Sequence, residues 1–300
     1  MAYVAFDLDA TLGFFEITNP LAFLWSPDWL ENPEQSALNG RLSLGHGLRV
    51  KLSRARIAFA NALFANKELL DIVLRPNLDA FFPHLIEAKK AKKVKSIIIY
   101  SNTSVTYSME LAKTLIEKKF RAPRLFSLMA DHWSPLRDAD RPQVDPGRYV
   151  QPEKTITTLK VLFRRATKSA TADVTPDKIM FMDDRHPKHK LEAQEKEGLK
   201  YIVPSAFYPQ FTERQKKNIL FLALKALDEH GVVSDHDYLS SGFCNRVIPY
   251  NNGMQHRVSG FVALFKYVWE RMQAVECPES PWVPDTAELK AQVDEFLEKT

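Results

Sequence analysis

The segment Tyr3-Val4-Ala5-Phe6-Asp7-Leu8-Asp9-Ala10-Thr11-Leu12-Gly13 decides the reading of this chain. Four apolar residues end abruptly in a carboxylate, and a second carboxylate and a threonine follow at two-residue steps. Two later runs break into polar residues in the same way, Ser96–Tyr100 into Ser101-Asn102 and Lys178–Met182 into Asp183-Asp184, and a third, Lys200–Val203, ends at Pro204. Continuous rather than alternating hydrophobicity predicts strands buried on both faces, as in a parallel sheet. Between them lie stretches with helical spacing, over Leu78–Lys93, Val105–Lys119 and Thr155–Arg165. Strands alternating with helices predict an α/β fold with a doubly wound parallel sheet. Ligands of such sheets bind outside the carboxyl ends of the strands, where these acids and small polar residues would sit.

Composition narrows the class. The 300 residues carry a net charge of +4, with 45% hydrophobic and 26% charged residues, as expected of a globular protein. No apolar run approaches the ~20 residues of a membrane-spanning helix. No basic stretch precedes the first strand, so no signal peptide is expected, and the location predicted is intracellular, cytoplasmic or nuclear. Cys244 and Cys277 make neither a disulfide framework nor a metal knot. Lysines bunch at Lys89, Lys90, Lys92, Lys93 and Lys95, and Arg164, Arg165 and Lys168 form a second group; both are read as solvated helix faces.

Two stretches exceed what a crossover needs. Residues 14–75 contain Trp25, Trp29, several prolines and a helix expected over about Ser53–Leu74, and are read as an inserted helical cap. Ala130–Gln151 is proline-rich and charged, and reads as a loop. After Pro204 the pattern becomes helical, at Thr212–Glu229, Ser259–Ala274 and Asp285–Lys299, with Gly242–Gly253 loop-like between them. Asp285 followed by Glu288 suggests a capping box. The domains expected are a core of residues 1–13 and 76–204, a cap of 14–75 and a helical extension of 205–300.

Asp7-Leu8-Asp9-Ala10-Thr11 resembles the D-x-D-x-T motif of haloacid dehalogenase superfamily phosphatases. The resemblance implies that Asp7 attacks phosphorus to form an aspartyl-phosphate, while Asp9 protonates the leaving oxygen and then activates water. The apolar strand ending in Ser101-Asn102 is similar to the family's second motif, and Asp183-Asp184 to its fourth. Thr11, Ser101 and Asn102 are thereby candidates for holding substrate. A helix starting near Ser104 would point its positive end at the phosphate. Asp7, Asp9, Asp183 and Asp184 are candidates for Mg²⁺, with Asp184 favoured for direct ligation, since hard cations take oxygen ligands. Converging carboxylates repel by roughly 4 kcal/mol per pair at 4 Å and an effective dielectric of 20. A lysine is therefore required as well, and Lys154 is preferred over Lys160.

Arg75-Pro76-Asn77-Leu78-Asp79-Ala80-Phe81-Phe82 resembles the R-P-G-h-x-x-F-L signature of the branch containing RNA polymerase C-terminal-domain phosphatases and NLI-interacting-factor-like proteins. Asn77 stands where that signature has glycine. Gly147-Arg148-Tyr149-Val150 loosely resembles a further segment of that branch. Asp183-Asp184-Arg185 is also similar to a triplet in the 3′-phosphatase domain of phage polynucleotide kinase. The expected substrate is accordingly phosphoprotein, with a nucleic-acid 3′ end as the alternative. A scaffold of the same fold, docking a protein partner through the C-terminal helices, is the rival from another class. His186 and His189 are read as surface residues, and Trp25 and Trp29 as packing within the cap.

Overall fold

A computed structural model describes residues 1–25, 47–140, 154–168, 174–184, 198–232, 268–275 and 282–300. Arg185, His186, His189, Trp29, residues 242–253 and most of the helix expected at Ser259–Ala274 lie outside them. The strands are β1 (Ala2–Phe6), β2 (Val94–Tyr100), β3 (Leu128–Ala130), β4 (Ile179–Met182) and β5 (Lys200–Ile202). They form one sheet in the order β3-β2-β1-β4-β5, with every pairing parallel. The helices are α1 (Ala22–Trp25), α2 (Leu48–Ala65), α3 (Lys67–Val73), α4 (Phe82–Lys90), α5 (Thr106–Lys119), α6 (Ile156–Thr167), α7 (Glu213–Glu229) and α8 (Thr286–Lys299).

The parallel sheet follows from the apolar runs. Every residue of β1 is buried, because both faces of this central strand are covered. Tyr3, Ala5, Ile98, Tyr100 and Phe181 share a cluster with Ile156, Leu159, Leu162 and Phe163 of α6. On the other face Phe6 stacks on Phe81 and on Phe82 at the start of α4. β2 lies on one side of β1 and β4 on the other. The carboxyl ends of β1 and β4 therefore meet where the strand order reverses, the place where such sheets bind ligands.

The chain separates into two compact units. One holds Met1–Phe15, Ile72–Pro209 and Pro278–Thr300, and contains the sheet. The other holds Glu16–Asp71 and Gln210–Cys277, where α2 packs against α7. This differs from the expected division at residue 205. Residues 210–277 join the inserted segment, and α8 belongs with the sheet unit, where it packs on β5 and on the 3-10 turn Pro76–Ala80.

Several elements depart from the sequence expectation. The helix expected over Ser53–Leu74 is two helices, broken at Asn66, whose Oδ1 accepts from the Leu69 amide at 3.2 Å and starts the next helix. Trp25, by contrast, is as expected: fully buried, it packs against Phe59. β3, a strand not expected from the sequence, ends at Ala130, where the expected loop begins. Asp285 is the N-cap of α8 without a side-chain capping bond, because its carboxylate is engaged elsewhere, as described below. The capping box that is present is Thr212 with Gln215, at the start of α7.

Candidate active site

The site assembles where the strands end. β1 delivers Asp7 and β4 delivers Asp183 and Asp184, since Phe6 pairs with Met182 across the two strands. The Asp7 amide donates to the Met182 carbonyl at 2.8 Å, which extends the pairing to the first acid. Ligand atoms of Asp7, Asp183 and Asp184 all lie within 4.8 Å of one another. Lys154 reaches them from just before α6: its Nζ is 2.5 Å from Asp7 Oδ1 and 2.7 Å from Asp183 Oδ2. The Lys154 ammonium also stands 5.3 Å from the centre of the Phe181 ring. The lysine side chain is 9% exposed, and those of Asp7 and Asp183 are 10% and 5% exposed, so little water screens this charge group. Lys160, the alternative, is placed within α6.

Burial and charge set the protonation. Burial pushes the Asp7 carboxyl up; the Lys154 ammonium opposes this, Asp183 adds to it, and the net direction is upward. Asp184 is pushed up to about 7, first by burial and then by repulsion from Asp7 and Asp183, against the pull of Lys154 and the Thr11 hydroxyl. Burial works against the Lys154 charge, but Asp183 and Asp7 hold the ammonium above its ordinary value. Three carboxylates thus share one ammonium, an excess of two negative charges when all are ionised. All the donors are carboxylate oxygens, the ligand type that hard cations take. The residues present therefore fit a hard divalent cation.

The remaining predicted residues are placed individually. Thr11 is fully buried, and its hydroxyl donates to Asp184 Oδ1 at 3.1 Å while accepting from the Asp184 amide at 2.9 Å. Thr11 thereby orients one of the acids. Asp9 stands outside the three-carboxylate group, and its Oδ1 accepts from the Phe15 amide at 2.9 Å. The Ser101 amide donates to the Ala130 carbonyl at 3.0 Å, and its Oγ accepts from the Thr103 amide at 3.2 Å. The Ser101 amide therefore extends the pairing of β2 with β3. The helix expected near Ser104 begins at Thr106.

Two buried arginines were not anticipated as parts of the site's support. Arg75 is fully buried and donates to the carbonyls of Ala10 (3.1 Å) and Ser205 (2.8 Å) and to Asp285 Oδ1 (2.7 Å). It thus ties the loop carrying Asp9 and Thr11 to the start of α8. Ala10 sits in that loop at φ 57°, a left-handed conformation that is strained for alanine, and its carbonyl also accepts from the Phe207 amide at 2.9 Å. Arg137, equally buried, belongs to the 3-10 turn Pro135–Asp140 after β3 and bonds to Ser101, Asn102 and Asp140. The signature around Arg75 marked the first arginine. Nothing in a charged, proline-rich loop marked the second.

Comparison with known proteins adds no relative: no protein-family model matches the chain, and no curated protein matches it. Among the described residues, no helix is long and apolar enough to cross a membrane.

Proposed function

We propose that the chain is a Mg²⁺-dependent phosphomonoester hydrolase of the haloacid dehalogenase type, working through an aspartyl-phosphate at Asp7. One observation carries this reading. A lysine remote in sequence joins the acid after β1 to the first acid after β4, with Asp184 beside them. An isolated turn rich in aspartate has no reason to bury such a group. Removing charges from water is costly unless a partner or a ligand compensates.

The chemistry divides among named atoms. An Asp7 carboxylate oxygen bonds to phosphorus as the ester P–O bond breaks, and Asp9 gives its proton to the departing oxygen. Asp9 then takes a proton from water as that water bonds to phosphorus and the Asp7–phosphorus link breaks. Inorganic phosphate leaves and the Asp7 carboxylate is restored. Asp9 can serve as the acid through Oδ2 while its Oδ1 accepts from the Phe15 amide. Lys154 orients Asp7 and keeps a positive charge where phosphoryl oxygens collect. Thr11 holds Asp184 in place. Mg²⁺, held by Asp7, Asp183 and Asp184, would neutralise the excess charge and draw charge from the phosphoryl oxygens.

The substrate favoured is a phosphoprotein, on the likeness around Arg75–Phe82 and the modest net charge of +4. A screen of an aryl phosphate, a phosphoserine peptide and a 3′-phosphorylated oligonucleotide, with Mg²⁺ and with chelator, tests the activity and the substrate class together. Mg²⁺-dependent release from the aryl phosphate and the peptide is expected. Salt-sensitive release from the oligonucleotide alone would move the substrate to nucleic acid, because phosphate contacts weaken as salt rises. Release unaffected by chelator would overturn the metal role.

A further inference from the structure

Behind the carboxylates lies a buried polar network that the proposed chemistry does not use. Arg137 Nε donates to Asp140 Oδ2 at 2.7 Å, and both side chains are fully buried. The Tyr100 hydroxyl donates to the same oxygen at 2.5 Å, and Thr155 Oγ1 donates to Asp140 Oδ1 at 2.9 Å. The Thr155 amide in turn donates to the Tyr100 hydroxyl at 3.1 Å. Burial and the adjacent Asp140 push the Tyr100 phenol well above its ordinary value, so it remains a donor. Arg137 also lies over the Tyr100 ring, 4.7 Å from its centre.

Two ends of this network reach the site. Thr155 follows Lys154 directly and caps α6, its Oγ1 accepting from the Thr158 amide at 3.2 Å. At the other end Arg137 Nη2 donates to Asn102 Oδ1 at 2.6 Å, and Nη1 donates to the Ser101 carbonyl at 2.6 Å. A guanidinium only donates, so it must take the amide oxygen of Asn102. That assigns the orientation of the amide and leaves its NH₂ group as a donor on a half-buried residue.

We propose that Arg137, Asp140, Tyr100 and Thr155 are positioning residues, which fix the Lys154 ammonium on Asp7 and present the Asn102 amide as a donor to a bound phosphate. The ion pair does this as one unit, because Asp140 accepts from three groups at once and each remaining partner constrains the others. Such fully satisfied buried networks specify a single geometry. The donor role of Asn102 rests on the phosphatase reading; the positioning of Lys154 does not.

The test uses the full chain with Mg²⁺ and three readouts: melting temperature, affinity for inorganic phosphate, and the rate at which acetic anhydride acylates Lys154, followed by peptide mass spectrometry. Tyr100→Phe keeps the ring and removes only the hydroxyl, and Asp140→Asn provides a second break in the network. Either variant, still melting cooperatively, should raise Lys154 acylation several-fold; unchanged acylation in a folded variant would overturn the positioning role. Asn102→Asp keeps an acceptor for Arg137 but replaces the donor with negative charge. It should retain the melting temperature and lower phosphate affinity at least tenfold, and wild-type affinity would overturn the donor role. Should wild-type protein bind no phosphate while Tyr100→Phe still exposes Lys154, the positioning role stands, and both the donor role and the phosphatase reading fall.

Discussion

Lys154 and Gly13 show how single residues determine the site. Lys154 pairs with two carboxylates in a nearly dry setting, and removing one member of a buried charge group typically costs about 3–5 kcal/mol. Lys154→Ala should therefore lower the melting temperature in chelator, and divalent cation should recover part of the loss by compensating the unpaired acids. Lys160→Ala should leave both stability and turnover near wild type. Equal losses in the two variants would contradict the assignment. At Gly13, a Cβ would stand 2.3 Å from the Val73 carbonyl oxygen and 2.8 Å from Phe15 Cε2. The nearest obstacle is backbone and cannot rotate away. Gly13→Ala should cost at least about 1–3 kcal/mol, the usual penalty of overpacking, read as a lower midpoint in urea. The grouping of Asp7, Asp183 and Asp184 was legible in the sequence because each acid follows an apolar run that reads as a buried strand. The partners of Arg137 were not legible, since they come from β2 and the two residues after it, from Asp131 after β3 and from its own turn.

Among the elements, the long apolar strands were the most readable. β1 and β2 bury nearly every residue, so their hydrophobicity is unbroken. β3 has three residues, two of them only partly buried, and at the sheet edge it needs no continuous apolar run. The start of α8 was read correctly in position but not in chemistry. The Asp285 carboxylate accepts from Arg75, from the Asn77 side-chain NH₂ at 2.9 Å and from the Ser205 backbone amide at 2.6 Å, so none of its side-chain bonding goes to capping α8. Periodicity cannot show a partner 210 positions away. Burial pushes the Asp285 carboxyl up, but the Ser205 amide and the Arg75 guanidinium together hold it below its ordinary value. A depressed folded value means that this contribution to stability is present above the unfolded value, near 3.9, and is lost as pH falls through the lowered one. Asp285→Asn should melt lower at pH 7 and show a flatter decline below pH 4 than the parent. A parallel shift at every pH would contradict the ionic role. The same clamp predicts that turnover falls in Asp285→Asn, through the Ala10 loop, without loss of the Mg²⁺ requirement.

For the whole molecule, chain order and spatial grouping diverge. The sheet unit takes both the first residues and the last, and the second unit combines Glu16–Asp71 with Gln210–Cys277. Composition shifts mark where helical segments begin, but not which unit each one joins. Segments far apart in sequence meet inside the second unit, where α2 packs on α7 and Lys51 donates to the Gly231 carbonyl at 3.0 Å. If the carboxylate group holds a cation, binding must stabilise the sheet unit by mass action, about 2.7 kcal/mol at one hundred times the dissociation constant. Mg²⁺ should therefore raise the melting temperature of the parent protein, and less so that of Asp184→Asn. The central claim concerns Asp7, and one measurement addresses it directly. Protein mixed with an aryl phosphate and Mg²⁺ is quenched in acid and reduced with borohydride, which converts an acyl phosphate to an alcohol, then mapped by tandem mass spectrometry. The account predicts homoserine at position 7, dependent on both substrate and Mg²⁺, and none in Asp7→Asn, which should also release no phosphate. Phosphate release at the parent rate by Asp7→Asn would contradict it.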